Sequence, residues 1–141
     1  MPGRFRIALA QLNPVMGDIK GNLARARAAR EAAPDADVIL FPELFIVGYP
    51  PEDLVLKPAL QDAAREAVEA LARETARGPA VVIGAPWLDE GRLYNAALYL
   101  DGGRIAGVRF KHELPNYGVF DEKRVFAAGP LPTPFEIRGV R

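Results

Sequence analysis

Cysteine is missing altogether from this chain of 141 residues. That excludes disulfides, thiolate metal sites and a cysteine nucleophile within these residues, and it leaves the redox compartment open. Histidine occurs once, as His112, and with no thiolate to join it a zinc site has no ligand set. Charge of one sign is not in excess: 18 Lys and Arg balance 18 Asp and Glu, so no global field draws in nucleic acid or an anionic membrane. No apolar run is long enough for a secretory signal or a membrane span, because Met-Pro-Gly-Arg-Phe-Arg passes straight into a strand pattern. A cytoplasmic protein is the simplest expectation. Repeats and low-complexity stretches are lacking too. What is present is half hydrophobic, enough for one core and so for one domain or part of one.

In chain order, Phe5 to Leu12 is apolar on both faces apart from Arg6 and Gln11, as expected of a strand inside a sheet and covered from both sides. Asp18 is a suitable N-cap for a helix over 19–33, whose thin apolar stripe leaves Arg25, Arg27 and Arg30 as a solvated face. A second strand starts at Asp37 and breaks at Pro42. Pro51-Glu52-Asp53 opens a short helix through Leu56, and Pro58 opens a longer one to about Ala76, ended by Gly78-Pro79. Ala80 to Ala85 is a buried strand leading through Trp87 to a turn at Asp89-Glu90-Gly91. Arg92 to Leu100 and Arg104 to Lys111 flank Asp101-Gly102-Gly103, a hairpin signal. Phe135 to Arg141 begins another strand. Helices alternating with buried strands, then a hairpin, give an α/β sheet with helices on a face.

Two places hold chemistry. The run Arg109 to Phe126 ends a strand whose Ala106, Val108 and Phe110 share one face and whose Gly107, Arg109 and Lys111 share the other. Pro115, Asn116 and Gly118 then shape an ordered loop that brings Tyr117, Phe120, Asp121 and Glu122 beside the lysine. Taken alone, Lys111 reads equally well as a solvated edge lysine. The other place is Glu43, directly after an apolar strand and before Leu44-Phe45-Ile46-Val47, too apolar for a free surface loop. An acid held there favours its neutral form unless a cation is near, which makes it a candidate general base. His112, pointing away from Lys111, is expected to be structural or surface-lying, and Gly102-Gly103 is a turn rather than a phosphate cradle.

F-P-E-L at 41–44 with Gly48-Tyr49 behind it, followed much later by F-K-H-E-L-P-N-Y-G-V-F-D-E-K-R-V-F at 110–126, resembles the nitrilase (carbon-nitrogen hydrolase) superfamily. Within it, the form L-P-N-Y-x-x-F-x-E-x-R-x-F is similar to the glutaminase domain of glutamine-dependent NAD(+) synthetases. The likeness begins at Arg6 and runs over nearly the whole chain.

The resemblance implies roles. Glu43 matches the general base, Lys111 the lysine that stabilises the tetrahedral intermediate, and Glu122 a second, loop-borne glutamate beside it. Tyr49, Tyr117 and Phe120 match residues lining the glutamine pocket, although each could be mere packing. The family nucleophile is a cysteine placed shortly beyond Arg141, and Arg138-Gly-Val-Arg141 resembles the front half of its strand, so the chain as written is expected to be inert. The implied fold is a partial nitrilase-type α-β-β-α sandwich, a mixed sheet with helices on one face, of which 1–141 is the N-terminal part and the C-terminal half lies beyond. The parent would release ammonia from glutamine for ATP-dependent amidation of deamido-NAD(+). ATP and magnesium are expected only in its synthetase half, since no S-G-G-x-D-S loop occurs here, and no cofactor in this chain. The implied partners are glutamine, the rest of the parent chain and further copies of the parent, with neither nucleic acid nor membrane. A stand-alone nitrilase-type amidase and a non-catalytic interaction subunit of the same fold remain open. Half a sheet would expose an edge and apolar surface, so the isolated chain is expected to associate.

Overall fold

The computed structural model describes residues 3–141. Five strands and two α-helices follow in the order β1 (Ile7–Leu9), α1 (Ile19–Ala32), β2 (Val38–Leu40), α2 (Pro58–Glu74), β3 (Ala80–Asp89), β4 (Arg92–Asp101) and β5 (Arg104–Phe110). They form one mixed sheet of spatial order β1-β2-β3-β4-β5. The first three strands are parallel, because each step between them passes through a helix. The last three are antiparallel. Both hairpins turn on two left-handed residues, Glu90-Gly91 and Gly102-Gly103, the backbone that matches the natural twist of paired strands.

Both helices pack on one face. Ala26 of α1 and Ala64, Ala67, Val68 and Leu71 of α2 join Ile39, Val81, Ile83, Leu98 and Leu100 of the sheet in a single core. Val68 and Leu71 have no exposed surface, and burial of each contributes about 1.5–3 kcal/mol. Asp18 caps α1 as expected, accepting from the Gly21 backbone N–H at 2.9 Å. Between Pro51 and Pro58 the expected short helix is a 3-10 turn over Glu52–Leu56.

Polar groups buried under α1 tie two loops together. Asn22 is fully buried; its side chain accepts from Val15 N–H at 2.8 Å and donates to the carbonyls of Val15 at 2.8 Å and Ile46 at 3.0 Å. Gly17 N–H adds a bond to Val47 O at 2.8 Å. Gly48, at φ +87°, lies so close to Met16 that a Cβ would sit 2.5 Å from its Cα. Only glycine meets both requirements.

Four sequence expectations need correction. The first strand is short and lies at the sheet edge: Ala8 faces the core, but Ile7 and Leu9 are 56% and 72% exposed, because the helices cover one face only. A bulge between Tyr99 and Leu100 shifts the register of β5, so Ile105 joins Val108 and Phe110 on the helix side while Ala106 packs with Tyr99 and Phe135 on the other. Arg30 is not simply solvated, since it donates to the carbonyls of Arg77 and Pro79 at 2.8 and 2.9 Å, and burial lowers its pKa. Arg27 pairs with Glu74 at 2.6 Å. Finally, 135–141 is not an extended strand: Ile137 and Val140 exchange two backbone hydrogen bonds across a tight reversal at Arg138 (φ +50°) and Gly139 (φ +82°).

Phe135 holds that segment to the bare face of the sheet. Its ring covers Gly107, packs at a tilt against Tyr99 with centroids 5.7 Å apart, and lies under the Arg109 guanidinium at 4.2 Å. Arg138 bridges to Asp101 at 2.9 Å. The hydrogen bond from Arg138 holds Asp101 below the ordinary carboxylate range, against the opposing effect of burial. Burial and the hydrogen bond to Asp101 push Tyr99 up to about 12.

Candidate active site

Glu43 reaches its place through close backbone approach. The chain at Pro42–Leu44 crosses β3 above Gly84, where a Cβ would meet Leu44 N at 2.3 Å, and Ile46 N–H donates to Gly84 O at 3.2 Å. Leu44 turns the chain there with φ +53°, a conformation costly for leucine that its complete burial holds in place. Lys111 follows the last residue of β5, fixed by its own N–H to Asn95 O at 2.8 Å and by its carbonyl, which accepts from Gly129 N–H at 2.9 Å. Glu122 sits in a 3-10 turn over Glu122–Arg124, anchored by buried Phe126 and by its N–H to Pro115 O at 3.2 Å.

These three residues converge. The Lys111 Nζ lies 2.8 Å from Glu43 Oε1 and 3.0 Å from Glu122 Oε1. The side chain of Glu122 is 10% exposed, that of Lys111 29% and that of Glu43 42%. Glu43 is therefore wetter than its apolar sequence neighbours imply, because Leu44 to Val47 turn inward while the carboxylate turns out over the sheet. Burial works against the charge on Lys111, but hydrogen bonds to Glu43 and Glu122, with the attraction of both, outweigh it and raise its pKa above the ordinary lysine value. The lysine is thus a fixed cation and not a base. The second oxygen of Glu122, Oε2, is buried without a partner.

The expected aromatic residues divide. Tyr49, Phe120 and Glu122 line a cavity of about 310 Å3 together with Leu44, Pro50 and Phe126. Burial, reinforced by the carboxylates of Glu43 and Glu122 and opposed by Lys111, raises the pKa of Tyr49, so its hydroxyl remains a donor. Tyr117 does not line that cavity. It is 71% exposed on the outer side of the loop and touches Phe120 edge-on at 5.7 Å. A second hollow of about 310 Å3, on the bare face of the sheet, is bounded by Leu40, Glu43, Val82, Asn95, Ala97 and Lys111. The paired charges stand between the two.

Asn95 was not foreseen. It is 4% exposed in β4 and donates from Nδ2 to Glu43 Oε1 at 2.6 Å. The one available signal was an asparagine, a poor strand former, within the apolar stretch Leu93 to Leu100. His112 lies apart from the charges, its Nδ1 2.7 Å from Gly129 O. Since a carbonyl only accepts, that nitrogen carries the proton. No group of three His, Asp or Glu among the described residues could hold a metal ion, and no helix among them is long and apolar enough to cross a membrane.

Known proteins show the same arrangement of sequence and backbone. The chain is 46% identical over 139 residues to a glutamine-dependent NAD(+) synthetase of Rhodobacter capsulatus, an alignment that takes in 97% of this chain and 25% of that protein. It superposes with a TM-score of 0.86 and 41% identity on the glutamine-dependent NAD+ synthetase of Acinetobacter baumannii, over 96% of this chain and 26% of the other. An amidase from Nesterenkonia sp. superposes at 0.81 with 31% identity, over all of this chain and 54% of its own. The chain thus spans about a quarter of the length of the synthetases it matches. The carbon-nitrogen hydrolase pattern matches residues 6–141, and the chain belongs to the carbon-nitrogen hydrolase family.

Proposed function

We propose that this chain is the front part of the glutaminase domain of a glutamine-dependent NAD(+) synthetase. In that reading Glu43 is the general base, Lys111 stabilises the oxyanion of the tetrahedral intermediate, and Glu122 holds Lys111 charged and in place. A thiol supplied from beyond Arg141 gives its proton to Glu43 and attacks the carboxamide carbon of glutamine. Glu43 passes the proton to the departing ammonia, and water then releases glutamate from the thioester. The ammonia serves ATP-dependent amidation of deamido-NAD(+) in a ligase half, to which ATP and magnesium belong and for which no residue of this chain is assigned. Tyr49 and Phe120 line the glutamine pocket, and Tyr117 stands outside it against Phe120.

The observation that carries this reading is a single ammonium held within 3.0 Å of two carboxylates on a rigid strand end. The reversal at Arg138-Gly139 supports it. From Gly129, beside Lys111, to Arg138, beside Asp101, the chain runs along the sheet away from the charges, and the turn sends it back. Strand β5 and Lys111 span about 23 Å at about 3.3 Å per residue, so a strand leaving Val140 regains the level of Lys111 after about seven residues.

The test is to read the coding sequence past Arg141 and assay the polypeptide it encodes. The family resemblance implies a cysteine within about a dozen codons, a distance compatible with that strand rise, with glutaminase activity abolished by its change to alanine. No such cysteine, or a polypeptide inert toward glutamine, defeats the reading. A second reading, hydrolysis of another small amide, is favoured by the likeness to a free-standing amidase. A substrate panel separates the two, since activity on other amides but not on glutamine selects it.

A further inference from the structure

The two oxygens of Glu43 are not equivalent. Oε1 receives both strong donors, Asn95 Nδ2 at 2.6 Å and Lys111 Nζ at 2.8 Å, while Oε2 has no hydrogen bond from any described residue. Lone pairs on Oε1 are thereby committed, and a proton arriving at the carboxylate finds its open acceptor at Oε2. We infer that Asn95 is a positioning residue which, together with Lys111, reserves Oε1 of Glu43 and leaves Oε2 as the oxygen that takes the proton. The inference rests on the reading of Glu43 as the general base.

Asn95 is suited to this in three ways. It is 4% exposed in the middle of the sheet, so its rotamer is locked by packing. Its own carbonyl accepts the Lys111 N–H at 2.8 Å, so one residue fixes both donors to Glu43 relative to each other. Its amide is neutral, so it orients the carboxylate without adding a second cation beside the first. When the nucleophile's proton moves to Oε2, Oε1 becomes the carbonyl oxygen of the neutral acid and still accepts both hydrogen bonds. The carboxyl group therefore does not have to turn between taking the proton and giving it to the leaving group.

The experiment uses the complete polypeptide carrying this segment, in two arms. In kinetics with glutamine, N95L removes the donor while nearly keeping the side-chain volume, and it is expected to lower kcat roughly ten- to a hundredfold with KM little changed. N95D places a carboxyl against Glu43. Two carboxyls that close share a proton far more readily than either alone, so N95D is expected to be impaired at about pH 8 and to recover toward about pH 6 as the introduced group becomes a donor. Wild type and N95L show no such recovery. A packing role alone gives N95L near wild-type kcat, or N95D a pH profile shaped like wild type, and either result overturns the assignment. In crystallography, N95L is expected to show the Glu43 carboxylate rotated and its Oε1 contact with Lys111 lost; an unmoved carboxylate overturns it too. Should the wild-type polypeptide not hydrolyse glutamine, the proposed function fails, and the crystallographic arm alone still decides what holds Glu43.

Discussion

Changing Gly84 to alanine tests how the backbone sets the site. No unusual φ is needed there, so alanine is conformationally allowed and the effect is purely one of space. The new methyl would lie 2.3 Å from Leu44 N, 2.9 Å from the Glu43 carbonyl carbon and 2.9 Å from Pro42 O. All three are backbone atoms with no rotamer by which to escape. Comfortable contacts begin near 3.5 Å, so the crossing has to lift by about 1 Å. The hydrogen bonds from Asn95 and Lys111 to Glu43, now 2.6 and 2.8 Å, would stretch beyond useful length. Overpacking of this kind costs about 1–3 kcal/mol, here toward the upper end. For a domain of this size that is a fall in Tm on the order of 10 °C, followed by circular dichroism. On the proposed function, glutamine hydrolysis by the complete polypeptide should fall about a hundredfold, as expected for a displacement of this size. Gly91→Ala is the matched control: nothing lies within 4 Å, but φ is +76°, so its cost is conformational, about 1 kcal/mol, and leaves activity alone. If G84A melts no lower than G91A, the close crossing does not determine the site.

Asn22→Leu strands the backbone partners of a fully buried amide and should cost about 3 kcal/mol or more, read as a lower midpoint in urea. Lys111→Met leaves Glu122, whose side chain is 10% exposed, as an uncompensated charge. It should cost about 3 kcal/mol, with E122Q in the same background recovering much of it in a double-mutant cycle. Because the folded pKa of Lys111 is raised, its stabilisation is complete below the ordinary value of 10.5 and disappears as pH climbs through the folded value. Alkaline unfolding should therefore lose this component in K111M. In an ultraviolet titration Tyr99 should ionise late, at about pH 12. Its contribution to stability is complete below its ordinary value of 10.0 and is lost as pH rises from there through about 12, and Y99F should abolish the late step.

The alternation of helices with apolar runs, and the turn residues of the hairpin, made most of the sheet legible from sequence. So did the meeting of Glu43 and Lys111, because each follows an apolar strand, and β2 and β5 run in the same direction, so both residues leave the sheet at the same end. Asn95 was hidden because its partner lies 52 positions away, and nothing local distinguishes a donor aimed at a carboxylate from a weak strand former. Pattern reading places Ala106 by strict alternation, which a bulge breaks without any sign in side-chain polarity. The edge position of β1 was missed because Ile7 and Leu9 have the composition of buried residues. Arg30 misled for a comparable reason, its acceptors being carbonyls 47 and 49 residues on. At Arg138-Gly139 the turn is not legible in sequence, because arginine rarely adopts positive φ.

The Asn22 amide and the Gly17–Val47 bond make one mechanical piece of two loops that the chain keeps far apart. The second of those loops leads directly into Tyr49 at the cavity wall. A guest that draws Tyr49 inward must therefore drag Val15–Gly17 with it, and the Gly17 amide becomes a distant witness whose deuterium uptake tells whether the cavity is occupied.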